Sequence, residues 1–169
     1  AGSSAVAGGF SIQVNQLAQA AKMRSGDFTN DKAIMGAGSL TFGLGDKSFS
    51  VTTDGTTTLA GVRDAINSAS ENPGIKATII NVDSGSRLVL TSDKLGAANT
   101  ITLSASDSDA NDGNDLGRLA SANLVTLQAP TDAIIHVDGQ QVTKDSNTFS
   151  DVISGVSITL KKADPAKTE

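Results

Sequence analysis

His136 is the one histidine of the chain, set in Ile134-Ile135-His136-Val137. A histidine works as a general acid or base only with a nucleophile or carboxylate aimed at it. No local pattern supplies one, so His136 reads as a structural or surface residue. The run Asp107-Ser108-Asp109-Ala110-Asn111-Asp112-Gly113 resembles a calcium loop at a glance. Hard cations want several oxygens on one tight turn, and an EF-hand loop takes Gly at its sixth position and Glu at its twelfth. Those positions hold Asp112 and Arg118 here. Residues 107–115 therefore read as a solvated acidic loop, with weak cation binding as the alternative. Gly36-Ala37-Gly38 hints at a phosphate loop, but such a loop follows a strand and opens a helix. This one precedes the strand-like stretch Leu40 to Leu44. Ser86 and Ser92 lack a nucleophile elbow. Cysteine is absent, which excludes disulfides, Cys-ligated zinc and thiol catalysis. No residue is assigned a catalytic, cofactor-binding or metal-ligating role, and the expectation is a protein that is no enzyme and uses no cofactor.

The elements that would carry these residues follow from composition and period. The chain has 169 residues, enough for one domain or two small ones. Sixteen of its 18 acids are Asp, and Ser and Thr together number 37. These residues favour turns and caps, so strands and loops should dominate over helix. The net charge is −5, with no Trp, no Tyr and five Phe. That argues against nucleic acid, which needs a basic face and usually aromatic platforms. No run approaches the length of a membrane-spanning helix, and polybasic attraction to anionic membrane is equally unsupported.

Phe10 to Asn15 alternates apolar and polar residues, as a half-buried strand does. Residues 16–22 fit either more strand or a short helical turn, and 24–38 form a turn-rich connector. Leu40, Phe42 and Leu44 turn at Gly45-Asp46 into a return strand with Phe49 and Val51. One helix is expected from Leu59 to about Ser70, capped by Thr57 or Thr58, with Leu59, Val62 and Ile66 on one stripe. Arg63, Asn67 and Ser70 are placed toward water, and Asn72-Pro73-Gly74 stops the helix. Strands follow at 76–82 and 87–91, then at 101–103, with a helical piece around Leu116, Leu119 and Leu124. A strand at 134–137 turns at Asp138-Gly139 and returns through 141–143. Phe149, Val152 and Ile153 are placed on a helical turn ended by Gly155, before a last strand from Val156 to Leu160.

Several of these blocks are familiar together. Gly9-Phe10-Ser11-Ile12-Gln13-Val14-Asn15-Gln16-Leu17-Ala18-Gln19 resembles the head entry of flagellar cap proteins, the hook-associated protein 2 or FliD family. Residues 58–67, 74–79 and 86–92 are similar, in order, to the flagellin hook IN motif. Residues 132–139 and 146–156 resemble the closing motif of the cap family. The resemblance covers residues 8–162. It implies a structural assembly protein at the distal tip of the bacterial flagellum, exported by the flagellar type III system without a cleaved signal. Such a cap retains exported flagellin, promotes its assembly and self-associates into a ring in the full-length protein. The long terminal helices of the family's leg domain are not seen in this sequence, so it reads as a head-domain fragment, mostly monomeric in dilute solution.

The expected fold is mainly β, with a minor α+β character. Two small β-rich head domains are expected, one inserted in the other, with one main helix packed on a sheet. Residues 8–33 plus 128–162 form the discontinuous domain nearer the legs. Residues 34–127 form the inserted distal domain with the hook IN motif, and 1–7 and 163–169 are flexible ends. The alternatives are another axial protein, such as a hook–filament junction protein or a flagellin outer domain, or an adhesin binding host mucin or another glycan. No nucleic acid and no membrane is expected as partner.

Overall fold

A computed structural model describes residues 8–108 and 116–164. The chain divides into two compact units, one of residues 1–20, 95–98 and 130–169, the other of residues 21–94 and 99–129. Among the described residues the fold is mainly β, with one α-helix packed on sheets.

The larger unit is built on two sheets. In chain order its strands are β2 (Ala20–Arg24), β3 (Gly38–Leu44), β4 (Lys47–Thr53), β5 (Ile75–Val82), β6 (Gly85–Leu95), β7 (Ile101–Asp107) and β8 (Val125–Gln128). One sheet has the order β4-β3-β7 and the other β5-β6-β2-β8. The β3–β4 hairpin pairs Leu40 with Val51 and Phe42 with Phe49, and those two rings stack with centroids 5.1 Å apart. Helix α1 (Leu59–Ser68) is capped by Thr58, whose Oγ1 accepts the Gly61 N–H at 3.1 Å. Its Leu59, Val62 and Ile66 are fully buried between the sheets, with Leu40, Phe42, Ile75, Leu88 and Leu90.

The turn-rich stretch after β2 belongs to this unit rather than to the discontinuous one. Ser25 is buried, donates its Oγ–H to the Gly26 carbonyl and accepts the Leu88 N–H at 2.9 Å. Phe28 and Ser86 exchange backbone bonds of 2.9 and 2.8 Å. With β2 beside β6, these long-range pairings draw residues 21–28 onto β6, whereas composition alone reads 24–38 as a connector. Gly85 makes the approach possible: its φ is +134°, and a Cβ there would lie 2.1 Å from the Phe28 carbonyl oxygen. β6 also runs on through Lys94, where a turn was expected. Leu116–Leu119 and Ser121–Asn123 are short 3-10 helices, and β8 lies where only a helical piece and a boundary were read.

The smaller unit holds β1 (Ile12–Gln16), β9 (Ala133–Val137) and β10 (Gln140–Lys144) in the order β1-β9-β10, and the pair β11 (Thr148–Ile153) and β12 (Val156–Thr159). Asp138 and Gly139 take φ of +47° and +80°, the twist a two-residue hairpin requires. Its core is small: Ala18, Ala133, Ile135, Phe149 and Leu160. The helical turn expected at Phe149, Val152 and Ile153 is instead β11. Phe149 pairs with Ile158 and Ile153 with Val156, with a register shift between them. A bulge breaks the alternation of a strand, and the apolar spacing of three that results imitates a helical stripe.

Candidate functional site

The residues that could do chemistry are each held in structural roles. His136 lies in the middle strand of its sheet, between Gln13 and Gln141, with Nδ1 at 2.7 Å from Asn15 Oδ1. Ser86 Oγ donates to Asn81 Oδ1 at 2.7 Å, and Ser92 Oγ donates to the Lys94 carbonyl at 2.9 Å. Both serines are buried. Gly38 opens a strand, and a Cβ there would lie 2.2 Å from the Ser106 carbonyl, so its smallness serves sheet packing. Within the acidic loop, Asp107 Oδ2 accepts the Leu116 N–H at 3.1 Å. Residues 109–115 lie outside the described residues, and with them the cation-binding alternative. Among the described residues no three His, Asp or Glu side chains converge as a metal site would need.

What the side chains build instead is a set of amide splices. Asn67, expected to face water, turns its amide to Ala77: Nδ2 donates to the carbonyl at 2.8 Å and Oδ1 accepts the N–H at 2.9 Å. β5 is the end strand of its sheet, so a helix side chain here occupies backbone groups that a further strand would otherwise take. Asn72 donates to the Ile66 and Ile75 carbonyls and accepts from the Gly74 and Ile75 N–H groups, at 2.7–3.0 Å. Asn147 makes the same two-way contact with Ala18, at 2.8 and 2.9 Å across 129 positions of sequence. Sequence reasoning missed the first and third. Only Asn72, placed before Pro-Gly at a helix end, carried a local signal.

Two charged features complete the larger unit. Arg87 Nε and Nη2 both donate to the Asp27 carboxylate, the second at 3.2 Å. That contact, with further help from Ser84, lowers the Asp27 pKa from the usual 3.8 to about 2. Arg118 stacks over the Phe28 ring at 4.3 Å and donates to the Asp27 carbonyl at 2.8 Å. In the smaller unit a groove of about 610 Å³ runs beside β1, lined by the apolar Phe10, Ile12, Val14, Ile158 and Leu160 together with Thr159, Lys161, Lys162 and Asp164. Phe10 is 46% exposed.

Residues 39–94 match the flagellin hook IN motif, and residues 130–169 match the C-terminal region of flagellar hook-associated protein 2. The chain is 39% identical to the B-type flagellar hook-associated protein 2 of Pseudomonas aeruginosa PAO1, over 94% of this chain and 36% of that protein. With flagellar hook-associated protein 2 of Escherichia coli K12 it shares 36% identity, over 87% of this chain and 33% of the relative. It thus spans about a third of the length of these curated relatives. The crystallised FliD of Pseudomonas aeruginosa PAO1 superimposes with a TM-score of 0.89 at 36% identity, covering all of this chain and 81% of that one. The FliD D2–D3 domains of Serratia marcescens superimpose with a TM-score of 0.81 at 30% identity, covering 96% of this chain and 90% of the other.

Proposed function

We propose, from the premise that this chain belongs to the flagellar hook-associated protein 2 family, that it forms the head region of a flagellar filament cap. The observation that carries the reading is the match of both β units, over the whole chain, to a crystallised FliD. The parent protein then sits outside the cell at the distal tip of the flagellum, reached through the flagellar export system. There it retains exported flagellin and promotes its assembly. The role is mechanical rather than enzymatic. His136, Ser86 and Ser92 all make structural hydrogen bonds, and the Asn67, Asn72 and Asn147 amides tie a helix, a helix end and a loop to neighbouring backbone.

The two compact units are taken as the two head domains, the larger inserted into the smaller. Ring formation belongs to the full-length protein. The 169-residue chain alone is expected to be monomeric in dilute solution, and light scattering at micromolar concentration checks this. A stable ring under those conditions contradicts it.

The decisive test is flagellin release from cells deleted for the parent gene. Flagellin leaking into the medium as monomer, with filaments restored by the parent protein, supports the cap. Normal filaments in the deletion strain overturn it and bring forward an adhesive or another axial role.

A further inference from the structure

Three separate pieces of chain build the smaller unit: residues 1–20, 95–98 and 130–169. The middle piece is short and comes from the connection between β6 and β7. Leu95 is the last residue of β6, yet its half-buried side chain packs against the smaller unit's core of Ala18, Ala133, Ile135, Phe149 and Leu160.

One carbonyl oxygen joins all three pieces. The Gln19 carbonyl accepts the Gly96 N–H and the Thr131 N–H, each at 3.2 Å, and the Gln19 N–H donates to the Thr131 carbonyl at 2.8 Å. A carbonyl has two lone pairs, so both bonds can be made at once. Ala97 N–H donates to Asp132 Oδ1 at 2.7 Å. Gly96 takes φ of +99°, and a Cβ there would lie 3.0 Å from the Asp145 carbonyl oxygen and 3.2 Å from Asp132 Oδ1. Glycine is the residue that adopts this angle without steric cost and passes between those two aspartates.

The stretches between the pieces, residues 21–94 and 99–129, are the larger unit. While that unit is folded, it fixes the ends of both stretches. If it unfolds, each stretch becomes a long flexible loop whose closure costs entropy. Residues 95–98 must then also be ordered from free chain. The smaller unit has only a small apolar core to set against these losses.

We propose that residues 95–98 are a clasp that makes the smaller unit's fold conditional on the larger unit's. The smaller unit stays folded only while the larger one is folded. The coupling free energy is mutual, but it shows first in the unit with the smaller core. The inference goes beyond the cap reading and does not rest on it.

The test is a urea titration of the full 169-residue chain. It follows the folded-state amide NMR signals of Ile135 and Phe149 in the smaller unit and of Phe42 and Leu90 in the larger. Asp132→Ala removes the acceptor of the Ala97 N–H and should lower the smaller unit's folding equilibrium constant roughly fivefold. Gly96→Ala places a Cβ in a tight site at positive φ and should lower it roughly tenfold or more. Ile66→Ala weakens the larger unit's core. In that variant, as in the parent chain, no urea concentration should leave the smaller unit folded and the larger one unfolded. Signals of Ile135 and Phe149 that persist where those of Phe42 and Leu90 are lost overturn the proposal. So do unchanged smaller-unit midpoints in Asp132→Ala and Gly96→Ala. The flagellin-release test decides the cap reading separately.

Discussion

Three asparagines carry more of the architecture than their exposure suggests. Asn67, Asn72 and Asn147 each present an amide that donates and accepts as a peptide group does, and each closes a gap that no strand fills. Removing one leaves partly buried backbone groups without their partner. Asn67→Ala and Asn147→Ala are therefore expected to cost about 1–3 kcal/mol each, measured by urea unfolding. A change below a few tenths would show that water replaces the amide. The Asp27–Arg87 pair makes a pH prediction. Its carboxyl has a folded pKa of about 2 against the usual 3.8. A depressed folded pKa contributes stability that is complete above about pH 4 and is lost as pH falls through about 2. Asp27→Asn should therefore lower the urea midpoint at neutral pH, and the gap between variant and parent should close between about pH 4 and pH 2. A gap that persists unchanged at pH 2 would refute this linkage.

At the scale of the element, helix α1 is the piece most openly written in the chain. Thr58 caps it, and the stripe Leu59, Val62, Ile66 names its buried face. Ile66→Ala should cost about 2–5 kcal/mol, since a fully buried side chain is replaced by a cavity. Arg63→Ala on the same helix should cost under about 1 kcal/mol, because its partner Asp64 is 67% exposed. Equal losses from the two would mean that the helix is held by its surface. The helix's end was less legible. It stops at Ser68 rather than near Ser70, because Asn72 draws the chain back to the Ile66 carbonyl. β11 was misread for a physical reason already visible in its register: a bulge mimics the helical period. β8 alternates apolar and polar residues in Val125-Thr126-Leu127-Gln128, but four residues are too short a run for that period to stand out from the leucine-spaced helical piece before it.

The whole molecule divides its core unequally. Among the described residues, the larger unit buries nineteen apolar residues in one cluster and the smaller only five. Local stability follows buried apolar area. Amides of β3 and β6 should therefore exchange with solvent more slowly than those of β11 and β12, as read by hydrogen exchange. Faster exchange in β3 than in β11 would contradict the inequality of the cores.

Features set by near neighbours in the chain are legible before any fold is known. The hairpin turns at Gly45-Asp46 and Asp138-Gly139, the stripe and cap of α1, the mainly β character and the order of the motif blocks all follow from side-chain period and local conformational preference. Features settled between distant residues emerge only when the chain folds. Folding brought residues 21–28 onto β6, made β8 a strand and matched Asn147 to Ala18. Each of these depends on pairing between residues far apart in the chain, and a linear pattern carries no signal for a partner it has not yet met.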